Sequence, residues 1–149
     1  ERTNQGFWLP SDAQKSNTSN WFRNTTLVDY IRAIPSKHTL LVSDACFSGS
    51  IFKTRKAFNN ASMAYYKLNR LKSRKGMTSG TLNEVPDQSV FLKYMKDRLK
   101  ENENKYTTSE ELFSSFKIAV MNNSPNVPQY GEIQNVGDEG GDFIFIRRD

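Results

Sequence analysis

The chain is poor in the residues from which most metal and redox chemistry is built: 149 residues contain one cysteine, Cys46, and one histidine, His38. A single thiol cannot close an internal disulfide, and one imidazole beside it cannot assemble a Cys/His zinc set. A lone free thiol suits a reducing compartment, so a cytoplasmic location is the expectation. Long apolar runs are also missing. The longest, such as Thr39 to Val42 and Phe143 to Ile146, fall far short of the roughly 20 residues that cross a bilayer as a helix. Acids are absent between Asp44 and Glu84, while Lys53, Arg55, Lys56, Lys67, Arg70, Lys72, Arg74 and Lys75 lie there, and this stretch accounts for the net charge of +5. The chain opens on Glu1 with no signal-like segment after it, which suggests a start inside a longer polypeptide.

What is present suffices for one domain, because a 36% hydrophobic and 12% aromatic composition excludes wholesale disorder. The segment "GFWLPSDA" reads as irregular or edge structure. In "NTTLVDYIRAIP" the residues Leu27, Tyr30, Ile31 and Ile34 recur at helical spacing, Asn24 or Thr25 is positioned to cap, and Pro35 stops the helix. "HTLLVSDAC" is a short apolar run ending before Ser48-Gly49, as expected of a buried, parallel strand. "GMTSGT" is a weaker strand signal. "DQSVFLKYMKDRL" predicts a helix with Val90, Phe91, Tyr94, Met95 and Leu99 on one side, and Thr108 with Glu111 forms a capping-box pattern opening a further helix, with Leu112, Phe116, Ala119 and Val120 inward. "NNSPNVPQYGEIQNVGDEGG" reads as a long loop before a terminal strand, "DFIFIRRD". This order predicts α/β layers with about three strands.

The sole histidine and sole cysteine do not form a catalytic pair if they end one extended strand. Eight steps at roughly 3.3 Å each put them about 26 Å apart, whereas a thiol and its base must approach within about 3 to 4 Å. His38 is therefore expected to be a strand-entry residue. Cys46 has two readings: a free cysteine filling space in a strand, or a reactive group at the carboxyl end of a strand, where open α/β sheets present chemistry. Pleating would put Asp44 on the same side as Cys46, with stems about 6 to 7 Å apart. A carboxylate there opposes thiolate formation, so Asp44 suits a receptor for a cationic side chain, or else a strand-end carboxylate bonded to backbone.

At "LLVSDACFSGS" the chain resembles the caspase-like cysteine peptidases, particularly their bacterial metacaspase and paracaspase branches, which carry an Asp-X-Cys-X-Ser-Gly-like sequence at the end of the nucleophile strand. "GFWLPSDA", "SRKGMTSGTLNEVPDQSVFLKYMKDRL" and "GDEGGDFIFIRRD" are similar to segments after the family's catalytic histidine, in its small subunit and at its final strand. The resemblance implies a three-layer α/β sandwich with a six-stranded, mostly parallel sheet, of which this chain holds about the last three strands. Residues 1–52 would end the large-subunit part, 53–75 would be a basic linker, and 76–149 the small-subunit part. The implied activity is that of an endopeptidase in which Cys46 attacks the scissile carbonyl and its backbone N–H helps hold the oxyanion. A histidine in a Ser-Gly-His-Gly-like motif upstream of Glu1 would be the base, so the implied partners are a protein or peptide substrate and a complementary N-terminal segment. In the Arg/Lys-specific branches the aspartate at the position of Asp44 receives the P1 side chain. Glu84 is a candidate second acidic contact, and Thr78, Ser79 and Gly80 are candidates to pair with an extended substrate.

The basic segment reads as a solvated helix face with Tyr65, Leu68 and Leu71 at helical spacing, as a self-processing site, or, less favoured, as a nucleic-acid surface. "GDEGGD", with Asp138, Glu139 and Asp142, lacks the alternation of an EF-hand loop and reads as a Gly-rich turn. No cofactor is expected, although some relatives require calcium. The competing function class is a catalytically silent caspase-like scaffold or signalling module.

Overall fold

The computed structural model describes residues 6–46, 51–53, 63–80 and 88–148, with Cys46, Lys53 and Met63 described by backbone alone. In chain order the elements are β1 (Phe7–Trp8), β2 (Phe22–Arg23), α1 (Asn24–Ala33), β3 (His38–Cys46), β4 (Phe52–Lys53), α2 (Met63–Arg70), β5 (Ser73–Gly80), α3 (Val90–Lys100), β6 (Tyr106–Thr108), α4 (Ser109–Asn123), β7 (Gln129–Ile133) and β8 (Ile144–Ile146). The fold class is α/β. Its main sheet runs in the order β3-β5-β7-β4, with β3 and β5 parallel and the β5-β7 and β4-β7 pairs antiparallel. β3 ends that order, so one of its edges has no strand beside it among the described residues.

Alternation along the strands sends successive side chains into two cores. On one face Met77 joins Phe91 of α3 and Leu112, Phe113, Phe116 and Val120 of α4, with Leu40 against them. On the other, Ile133 and Val136 pack on Ile31 of α1, with Leu41, Leu27 and Val28 alongside. The expected inward faces of α3 and α4 hold, with Phe113 added. The capping box forms as the sequence predicts: Thr108 Oγ1 accepts from Glu111 N at 3.0 Å and Glu111 Oε2 accepts from Thr108 N at 2.8 Å. Helix α1 departs in three ways. Arg23 is its N-cap without a side-chain bond, Tyr30 faces outward, 61% exposed, stacked on Phe22, and Ile34 is the exposed C-cap; only Ile31 of the helix is fully buried.

Three further expectations need correction. The stretch read as one long loop contains β7, whose Gly131 opposes Gly76 of β5. Glycine there lets β4 close over the sheet, because a Cβ on Gly76 would stand 2.6 Å from the Phe52 ring. The terminal strand β8 lies outside the main sheet, in a separate antiparallel pair with β6, which the sequence reading did not anticipate. Finally, Arg74 and Lys75 are not on a solvated linker. Both lie in β5, 1% and 8% exposed. The Arg74 guanidinium donates to the carbonyls of Ile34, Ser36, Lys37 and Ser73, binding the α1–β3 connection to the sheet. Lys75 Nζ lies 3.2 Å from Asp138 and 3.6 Å from Glu132. A basic residue can be buried when acceptors or acids face most of its donors, and composition alone does not reveal those partners.

The "GDEGGD" acids serve this packing. Asp138 accepts from the backbone N–H groups of Arg74 and Gly140, Glu139 from that of Lys72, and Asp142 sits against the start of α4, accepting from Glu110 N. Between them, Gly141 lies so close to the end of α2 that a Cβ would stand 2.1 Å from the Leu71 carbonyl oxygen and 2.8 Å from that of Leu68. Backbone cannot yield as a side-chain tip does. Gly141→Ala is expected to destabilise the fold by about 2 to 4 kcal/mol, measured as a shift in the urea midpoint; a change under about 0.5 kcal/mol would contradict this close approach.

Burial, and secondly the charge of Asp142, raise the Glu110 carboxyl above its usual 4.5. The folded state therefore holds this proton more tightly than the unfolded chain does, and the associated stability is present below pH 4.5 and lost as pH rises through the folded-state value. In Glu110→Gln this loss is absent. The variant should be the more stable at neutral pH, with the difference shrinking towards zero below pH 4.5, as thermal melts across pH 3 to 8 would reveal.

Candidate active site

β3 follows the tight stop after α1 and carries Ser43, Asp44 and Cys46 to its carboxyl end. β5 runs parallel beside it and brings Thr78, Ser79 and Gly80 to the same end, so the register pairs Ser43 with Thr78 and Cys46 with Gly80. Between those pairs β3 has one residue more than β5, an irregularity of the bulge type. A bulge breaks the strict alternation of side chains, so the pleating argument that put Asp44 and Cys46 on one side does not carry across it.

The polar atoms at this end are distinctive. Ser43 Oγ, Asp44 Oδ1, Thr78 Oγ1 and Ser79 Oγ are all buried and have no hydrogen-bond partner among the described residues. Residue exposure is 5% for Ser43, 0% for Thr78 and 2% for Ser79. Buried polar groups are almost always satisfied in folded proteins, and a cluster of exceptions at one strand end marks a place where a ligand's donors would be rewarded. A further member is Asn126, in the connection from α4 to β7. It is 4% exposed, its Oδ1 also lacks a partner, and its side chain covers Gly80: a Cβ there would stand 2.9 Å from Asn126 Cβ and 3.2 Å from Oδ1. Asn126 was not singled out from the sequence. The only hint is that Pro125 and Pro128 frame it, stiffening a segment otherwise read as loop.

His38 stands at the other end of β3. Its Nε2 donates to the Asn69 carbonyl at 3.1 Å, since a carbonyl can only accept, and its Nδ1 then accepts from Ser73 Oγ at 2.9 Å in the neutral ring. Both nitrogens are occupied in joining β3 to α2 and β5. The ring also borders an open groove of about 640 Å³ lined by Tyr65, Tyr66, Asn69, Tyr106, Phe143, Ile144 and Ile146. As the sequence spacing predicts, His38 and Cys46 end the same extended strand.

Strand addition along β5 is limited. At Thr78 both edges are taken, by Ser43 on one side and Gln129 on the other, because β5 is an inner strand of the sheet. Beyond Thr78 the β7 ladder stops, and Gly80 keeps only its pairing with Cys46. Glu84, Ser48 and Gly49 lie outside the described residues. Among the described residues no group of three His, Cys, Asp or Glu side chains gathers as a metal ion requires, and no helix is long and apolar enough to cross a membrane. No family model, curated protein or solved structure matches the chain.

Proposed function

We propose that this chain is the nucleophile-bearing part of a caspase-like cysteine endopeptidase that cuts after arginine or lysine. Cys46 attacks the scissile carbonyl, its backbone N–H helps to hold the oxyanion, and Asp44 receives the cationic P1 side chain. The general base is a histidine on polypeptide upstream of Glu1, since His38 ends the same strand at its far end with both ring nitrogens bonded. The observation that carries this reading is the cluster of buried, unpartnered oxygens beside Cys46 at the carboxyl ends of two parallel strands, joined to the "DACFSGS" sequence that resembles the family. The edge of β3 that has no strand beside it among the described residues supports the need for a complementary segment, because an open sheet edge is unfavourable.

Two measurements test it. Denaturing intact-mass spectrometry of purified natural material should reveal either a companion polypeptide beside this 17.1 kDa chain or a longer precursor, carrying the histidine segment in either case. In that complete protein an Arg-mimicking electrophile should label Cys46 specifically, and peptides with Arg or Lys at P1 should be cut. Absence of labelling in the complete protein would sink the enzyme reading and leave the silent scaffold.

A further inference from the structure

We infer that Asn126 is a specificity-determining residue of this same site, its side-chain oxygen accepting a hydrogen bond from the P1 cation and favouring guanidinium over ammonium; the inference rests on the peptidase reading above. Three observations converge on it. Asn126 is nine-tenths buried and more, yet its Oδ1 has no donor among the described residues, a desolvated acceptor of the kind that a fold tolerates where a ligand completes it. The side chain lies directly over Gly80, whose Cα is the ladder partner of Cys46; parallel strands stand roughly 4.8 Å apart, so this acceptor belongs to the immediate surroundings of the nucleophile's backbone. The other unpartnered atoms at the strand ends are oxygens as well, those of Asp44, Ser43, Thr78 and Ser79.

Alternation puts Ser43 and Thr78 on one face of the sheet and Ser79 on the other, so the pair that bears on a cation is the Asp44 carboxylate at the end of β3 and the Asn126 amide carbonyl over Gly80. A carboxylate alone binds lysine and arginine by charge. An additional neutral acceptor set apart from it matters more to a planar guanidinium, which carries five N–H donors in a fixed fork, than to an ammonium with three on a compact head. Glycine at position 80 is part of the device, because any side chain there would displace Asn126.

The test uses the complete protein with its upstream segment, and matched peptides bearing arginine, lysine or citrulline at P1. In Asn126→Ala, kcat/KM for the arginine peptide should fall about 10- to 100-fold, the size expected for a lost hydrogen bond to a charged group, with a smaller fall for lysine. Alkylation of Cys46 by iodoacetamide, which has no P1 group, should keep its wild-type rate. Asn126→Asp, nearly isosteric and still an acceptor, should retain arginine cleavage and discriminate more strongly against citrulline. An unchanged arginine-to-lysine ratio in Asn126→Ala overturns the inference, as does slowed alkylation that Asn126→Asp does not restore, which would mark a purely structural role. If the wild-type protein cuts after another residue type, the inference and the P1 role of Asp44 fail while Cys46 stands as the nucleophile of a peptidase; if it cuts nothing and Cys46 resists labelling, the whole reading fails.

Discussion

Asp142→Ala is expected to lower the unfolding free energy by about 3 to 5 kcal/mol, the range for breaking a buried, charged hydrogen-bond centre. The residue is 3% exposed, and its carboxylate gathers donors from three elements. Oδ1 accepts a short hydrogen bond from Ser109 Oγ, one from the Tyr130 hydroxyl at 3.0 Å and one from its neighbour Phe143 N at 2.7 Å; Oδ2 accepts from Glu110 N at 3.2 Å. The start of α4, the middle of β7 and the approach to β8 are thus fixed on one group, and the negative charge lies at a helix N-terminus, where it is favoured. Alanine strands these donors and opens a void. Asp142→Asn preserves the shape but sets an N–H₂ against donors, so it should cost less than alanine and more than a surface change. Urea unfolding would measure both, and a loss below about 1 kcal/mol for alanine would refute the hub role. The effect should not add to that of Glu110→Gln. Because the charge of Asp142 is one cause of the raised Glu110 carboxyl, removing either acid relieves the same repulsion, and a double-mutant cycle should report coupling.

This hub also marks where sequence reading stops. Helices α3 and α4 were legible because their apolar periodicity and the Thr108–Glu111 box are local signals, complete within one turn or two. β3 was legible as a parallel strand because a short apolar run bounded by turn residues is a local signal, but not as a buried one: it ends the sheet order, Val42 is 39% exposed and only Ser43 of its described side chains is buried. β7 was not, since its residues include Gly131 and follow Pro128, and these residue types ordinarily punctuate chains; the pairing with β5 that makes it a strand is remote in sequence. The burial of Arg74 and Lys75 was equally hidden. Their partners, the carbonyls after α1 and the acids Asp138 and Glu132, are remote in sequence, and no local pattern encodes a distant acceptor. At the site, Cys46 and Asp44 stood out through their motif and strand position. The bulge beside them and the contact of Asn126 with Gly80 depend on register and on a loop crossing the sheet, both of which arise only from tertiary packing.

Cys46→Ala in the complete protein should abolish cleavage of arginine and lysine peptides, by roughly 10⁴-fold or more, as expected when a nucleophile is deleted, while leaving thermal stability nearly unchanged. The same variant tests self-processing of the basic segment, and the fold narrows where that cut can fall. If the proposed activity holds, the substrate is taken as an extended strand. Arg74 and Lys75 lie within β5, paired on one edge with Thr39 and Leu40 of β3, and Lys75 is paired on the other with Glu132 of β7; cutting after either would require dismantling the sheet. Lys67 and Arg70 lie on α2, an eight-residue helix of a length that is marginal by itself in water and can be unwound at modest cost. New N-termini are therefore expected after basic residues between 55 and 72, since Lys53 is paired in β4 with Glu132 of β7; N-terminal sequencing of the aged protein would find them, and they should vanish in Cys46→Ala. Fragments that persist in the variant would assign the cut to a contaminating protease, and a cut after Arg74 or Lys75 would mean that β5 opens before processing. If cleavage vanishes in the variant and falls within that window, the basic segment is a substrate of its own enzyme, and its excess of lysine and arginine follows from the same P1 preference that Asp44 serves.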